Sequence, residues 1–310
     1  MRKLTIILLS LILVVALAWF IQSGLLSSKP GGVETEQGRL HIMASIYPLY
    51  FLASRVAGDL AEIEQLVPNG VEIHNYQPTP RKLARLEGAD AFIYNGLGLE
   101  PWAEKVVANI AAEDQVLRAS GVVTLLREDD NHKEAGYDPH IWLDPQNARA
   151  IAKAISDLLG RLDQKNKGLY ENNYLELANE ISRLDHDYRQ GLSHRENQVI
   201  LVSHAAFGYL AHRYGFRQLS VTGTTPHQEP TPARLAQLFE AAHSNNLKYI
   251  FLETLASPRT VQTLAEEAGL QVLTLNTVAG LTEENVEEQA DYFTLMRDNL
   301  ENLRKALVEG

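Results

Sequence analysis

Three histidines in this chain stand in settings where an imidazole can be put to use. His74 lies in PNGVEIHNYQPTPRKL, after an apolar run ending near Val67 and before a helix that opens at proline. His140 lies in DPHIWLDP, fenced by Pro139 and Pro145, with Asp138 and Asp144 on either side. A proline-bounded octet does not sit inside a helix, so this His is presented by a stiff loop. His204 follows the run VILVS and opens another helix. Glu253 ends the apolar run YIFLE. A carboxylate there is unfavourable unless it is paired, and a cation is one such partner. Imidazoles with a carboxylate form a donor set for a divalent metal ion. On residue types alone two readings stay open: a metal site built on the three histidines, or unrelated polar residues at loop mouths. Ten histidines are present, and five of the others have ordinary settings. His41 lies near a strand start, His186 on the charged side of a helix, His194 and His243 in polar stretches, and His212 inside AAFGYLAHRYG.

The elements that must carry these residues alternate. In the first half the expected strands are 40–45, 62–67, 90–95 and 115–119, with helical stretches at 49–57, 79–86 and 101–111 between them. In the second half they are 198–203, 216–222, 248–253 and 271–276. Strand–helix alternation implies parallel sheets covered by helices, here two α/β lobes of roughly four strands each. No literal internal sequence repeat is visible. Between the lobes, Tyr170, Tyr174, Leu177, Ile181, Leu184 and Tyr188 recur at helical spacing. They predict one long rigid helix over 164–191, roughly 40 Å at about 1.5 Å per residue, joining an N-terminal lobe (39–163) to a C-terminal lobe (192–310). In such sheets ligands gather beyond the carboxyl ends of strands, where His74, His140 and His204 all fall.

The first residues address location. Arg2 and Lys3 precede an uncharged, mostly apolar stretch at 4–26. This has the form of a signal peptide and is also long enough to remain as a membrane anchor. ALA at 16–18 is a poor cleavage site before bulky Trp19 and Phe20. The segment 27–38, rich in Gly and polar residues, reads as a flexible tether. The net charge is −11, and the chain beyond the leader is more acidic still. Such a body repels nucleic acid and mildly favours cations. The chain has no Cys, which excludes disulfides, thiolate metal sites, Cys catalysis and a lipid-modified Cys.

Taken in order, SIYPLYFLASRVAGD, PNGVEIHNYQPTP, DPHIWLDP, SHAAFGYLAHRYGF, GTTPHQEPTP and IFLETLASPRT resemble the metal-binding receptors of bacterial ABC importers for zinc and manganese, the cluster called A-I. The resemblance runs from about Leu40 to the C-terminus. It implies two α/β lobes, a backbone helix and a metal in the cleft, with His74 and His140 as ligands from the first lobe and His204 from the second. Relatives with a fourth carboxylate place it after the last strand. Here that segment is TLNTVAGL, with no acid before Glu283, so Glu253 is the nearest candidate for a fourth ligand, the other reading being an acid that supports the ligands from behind. Manganese members carry a carboxylate where His204 stands and an Asp where this chain has Asn276, so the resemblance is to the zinc branch.

The chain departs from the family at two places. The stretch before the second ligand, LREDDNHKEAGY, is short and acidic, with only His132. His227 stands where an acid or amide is usual, as a cleft-side accessory or simply an exposed residue. Pro139 and Pro145 limit the entropy His140 loses on binding. Asp138 or Asp144 is expected to fix its tautomer, with Trp142 packed beneath. The implied function is that of a monomeric extracytoplasmic receptor, not an enzyme, which delivers Zn²⁺ to an ABC permease. A manganese or iron receptor, an extracytoplasmic zinc hydrolase and an adhesin are the rival readings. Neither H-E-x-x-H nor G-x-S-x-G occurs.

Overall fold

Apolar residues alternate sides along the central strands, and both sides are buried. In β1 (Leu40–Ala44) Ile42 and Ala44 face one core and Met43 another. In β5 (Val199–His204) Ile200 and Val202 face the first of these, and Leu201 faces a third. A sheet apolar on both faces must be covered by helices on both, as parallel sheets are. The computed structural model describes residues 38–109, 113–127, 136–224, 230–254 and 259–309. The hydrophobic stretch 4–26, all but the last residue of the tether, His132 and His227 lie outside them. Leu40–Gly310 forms a single unit.

The first lobe runs β1, α1 (Tyr47–Ala57), β2 (Ala61–Gln65), α2 (Pro80–Glu87), β3 (Ala91–Tyr94), α3 (Ala103–Val107) and β4 (Val116–Arg118). Two long helices follow, α4 (Pro145–Leu162) and α5 (Lys167–Gly191). The second lobe runs β5, α6 (Gly208–Tyr214), β6 (Arg217–Thr222), α7 (Pro232–Ser244), β7 (Tyr249–Leu252), α8 (Arg259–Ala268), β8 (Gln271–Thr274), α9 (Glu283–Glu287) and α10 (Tyr292–Leu307). The sheet orders are β2-β1-β3-β4 and β6-β5-β7-β8, and every pairing is parallel. The expected two-lobed α/β fold is therefore observed.

The connection is richer than one strut. The stretch expected to begin a single helix at Gln164 starts with a 3₁₀ turn, and α5 proper begins at Lys167. It packs against α4, whose 18 residues the sequence reading did not single out. Pro145 opens α4 and the Asp144 side chain caps it by accepting from Gln146 N–H. The apolar stripe of α5 is buried as its spacing predicts. The largest core runs from Ile42 to Leu307 and draws on both lobes. Phe51 of α1 stacks on Tyr292 of α10 at 5.6 Å, and the Tyr292 hydroxyl donates to the Trp142 carbonyl.

The shared strand order exposes a repeat that the sequence reading missed. Ser45, Leu52, Ala53 and Arg55 match Ser203, Leu210, Ala211 and Arg213 at the same offsets. Pro78-Thr79-Pro80 matches Pro230-Thr231-Pro232, and both threonines cap a helix by accepting a backbone N–H three residues on. The two arginines reach the same helix, Arg55 pairing with Glu180 and Arg213 with Asp185.

Candidate metal centre

In both sheets the strand order reverses between the two middle strands, where open α/β sheets bind ligands. His204 is the last residue of β5, and Glu253 follows the end of β7 beside it. His74 comes from the loop after β2, and His140 from the long connection after β4. The folding chain thus brings together three imidazoles spread over 131 positions, their ring nitrogens within 4.8 Å of one another. The ring centroids of His74 lie 5.4 Å from His140 and 5.9 Å from His204, and those of His140 and His204 are 5.1 Å apart. His140 and His204 are buried and His74 is partly exposed.

The orientation of the two buried rings is set from behind. Nδ1 of His140 lies 2.8 Å from Asp138 Oδ1, which also accepts the His140 backbone N–H. Asp144, the alternative partner, is occupied with capping α4 and with Arg213. Nδ1 of His204 lies against Glu253 Oε1, which also takes the Ser203 hydroxyl and the His204 backbone N–H. When a carboxylate accepts at each Nδ1–H, as it does once a cation sits on the far side of the rings, each Nε2 presents its lone pair. Those two Nε2 atoms are 3.3 Å apart. Tetrahedral Zn²⁺, with Zn–N near 2.0–2.1 Å, holds ligand nitrogens about 3.3–3.4 Å apart.

Glu253 is accordingly the acid behind His204, and it is not a member of the three-imidazole group. Asn276 is also set apart from the group. Its Oδ1 accepts from Val278 N–H and holds the turn after β8. Trp142 is fully buried under the loop, with its ring 5.5 Å from His140 and its indole N–H donating to the Thr277 carbonyl of the other lobe.

Burial decides the charge of the His140–Asp138 pair. Removal from water pushes the Asp138 carboxyl up to about 7, and the His140 backbone N–H only partly opposes this. Burial, with His204 nearby, drives the His140 imidazole well below its ordinary value. Without a cation the pair is therefore neutral below about pH 7 rather than an ion pair.

The first lobe repeats this arrangement without the imidazole. The Ser45 hydroxyl donates to Glu100 at 2.5 Å, as Ser203 does to Glu253. Ile46 occupies the position of His204. Glu100 instead accepts the Asn95 and Gly96 N–H groups. The Asn95 amide then donates to the Pro139 carbonyl, next to His140. None of Ser45, Asn95, Glu100 and Ser203 was singled out from sequence. The repeated Ser at the strand ends was the available signal.

Residues 42–306 match the family model described as the zinc-uptake complex component A, periplasmic. The chain belongs to this family. It is 32% identical to the high-affinity zinc uptake system protein ZnuA of Bacillus subtilis, over 91% of this chain and 92% of that protein. It is 34% identical to the zinc-binding lipoprotein AdcA of Streptococcus pneumoniae over 86% of this chain. It spans 56% of AdcA, so only part of that longer protein has a counterpart here. The crystal structure of the Zn(II)-bound ZnuA-like domain of that AdcA superposes with a TM-score of 0.76 at 34% identity, covering 87% of this chain and 99% of the domain.

Proposed function

We propose that the chain is the zinc-binding receptor of an ABC-type metal importer, working outside the cytoplasm and passing Zn²⁺ to a membrane permease. The observation that carries this reading is the pair of buried Nε2 atoms at tetrahedral ligand spacing, each with its Nδ1 held by a carboxylate. His74, His140 and His204 are the ligands. Asp138 and Glu253 fix two of the rings. Three imidazoles favour Zn²⁺ over Mn²⁺, which prefers more oxygen donors and a higher coordination number. The family membership and the zinc-uptake names of the relatives support the transport role.

Delivery rather than catalysis fits the site. His140 and His204 are only 1% and 3% exposed, whereas a catalytic zinc keeps a coordination position open to substrate. Among the described residues no helix is long and apolar enough to cross a membrane. The stretch 4–26 is the proposed attachment to the outer face of the membrane, and the receptor works as a monomer. Competition titration tests the metal assignment. The wild type should prefer Zn²⁺ to Mn²⁺, and His204→Glu, which adds charge and an oxygen donor, should weaken zinc and narrow that preference. A wild type preferring Mn²⁺ would sink the reading.

A further inference from the structure

We infer that Arg213 is a positioning residue for zinc, tying the lobe that carries His204 to the loop that carries His140 and to the helix between the lobes. This rests on the receptor reading above and adds a residue that touches no metal.

Arg213 lies on α6, the helix that follows His204. Its Nε is 2.7 Å from Asp185 Oδ1 and its Nη2 is 2.8 Å from Asp185 Oδ2, a two-pronged contact to α5. The same Nε is 3.2 Å from Asp144 Oδ1, in the final turn of DPHIWLDP. Asp144 caps α4 and Asp185 also accepts from the Tyr214 hydroxyl, so both acids are fixed by other bonds. All three charged side chains are largely shielded, at 14% exposure or less. Shielding makes such a contact stronger than a surface pair, and the planar guanidinium fork adds directional precision that an ammonium lacks.

Two further contacts fit the start of α6 to the His140 loop and to the segment hydrogen-bonded to it. At its first turn, a Cβ on Gly208 would lie 2.5 Å from Asp138 Oδ2, so only a bare backbone allows the approach. One residue on, the Tyr209 hydroxyl accepts the Leu126 N–H of the first lobe. Arg213 fixes the far end. The separation of the His140 and His204 rings is therefore set through α6, and a loosened α6 lets the two Nε2 atoms drift from ligand spacing.

The repeat supplies the control. Arg55 sits at the equivalent offset in α1 and pairs with Glu180 on the same α5, and among the described residues no hydrogen bond or ion pair joins it to either metal-bearing loop. Arg213→Gln should speed zinc dissociation by about 10-fold, the lower end of the affinity loss that follows removal of groups bonded directly to metal ligands. It should also weaken the visible absorption of tetrahedral Co²⁺ bound at the site. Arg55→Gln should lower the melting temperature of the metal-free protein while leaving both metal readouts as in wild type. If Arg213→Gln does not fold, Arg213→Lys decides the matter, because it keeps the charge without the fork and should give an intermediate dissociation rate. Wild-type zinc release and Co²⁺ spectrum in a folded Arg213 variant would overturn the tie while leaving the receptor reading intact. Equal loss of zinc in the Arg55 and Arg213 variants would likewise reduce Arg213 to general support. A wild type that binds no zinc would overturn the receptor reading itself.

Discussion

At the scale of single residues, the proton on Asp138 is the most exposed to experiment. Its carboxyl is pushed up to about 7 by burial and the His140 ring is held well below the usual imidazole value by the same cause. At pH 6 the metal-free pair carries its proton on Asp138. Zinc on Nε2 draws a proton off the pair, leaving Nδ1–H donating to a carboxylate. Zinc binding at pH 6 should therefore release about one more proton in wild type than in Asp138→Asn, and the difference should fade above about pH 8. Calorimetry in buffers of different ionisation enthalpy measures this, and equal release by the two proteins would refute it. The sign for folding differs. Between the ordinary carboxylate and imidazole values, near 4 and 6.5, folding moves a proton from His140 to Asp138 without changing the number bound. The pair then gives the metal-free protein almost no slope of stability with pH in that range. The part contributed by neutral Asp138 is lost as pH rises through about 7. Glu253 has a comparable orienting role. Glu253→Gln keeps the shape but offers a weaker acceptor to Nδ1, and should weaken zinc by about 10- to 100-fold. An unchanged affinity would remove Glu253 from the ring's support.

At the scale of elements, α4 and α5 make a packed pair rather than a hinge, and α10 returns from the second lobe to stack Tyr292 on Phe51 of the first. α5 alone is about 37 Å long at 1.5 Å per residue. Zinc loss should leave small-angle scattering nearly unchanged, with movement confined to the loops around His74, His140 and His204. A clear rise in radius of gyration on chelation would contradict this. The strands, the α5 stripe and the stiff proline-bounded loop were legible in sequence because each depends on local spacing and on residues that restrict the backbone. The three imidazoles were legible because His204 ends an apolar run, His140 sits in a proline-fenced octet and His74 lies in a loop before a proline-opened helix. For Glu253 two roles stayed open, ligand or supporting acid, since which side of His204 a carboxylate occupies is fixed by the pairing of β5 with β7, a long-range fact. Arg213 was invisible for the same reason, its partners lying 28 and 69 positions away.

For the whole molecule, the repeated half is the feature with the furthest reach. Two lobes of one strand order could each have supplied an imidazole at the end of the central strand, backed by a serine and a carboxylate. Only the second does so. In the first, Ile46 stands in that place and Glu100 is turned to backbone N–H groups that steady the His140 loop. Among the described residues the doubled scaffold thus carries a single three-imidazole group, and the expected capacity is one ion. Calorimetric titration of the metal-free chain should give a stoichiometry of one tight zinc, and a second tight site would contradict it. The amount of metal held outside the membrane then rises only in step with the number of receptor molecules made, and a cell short of zinc must answer by synthesis rather than by loading each copy further.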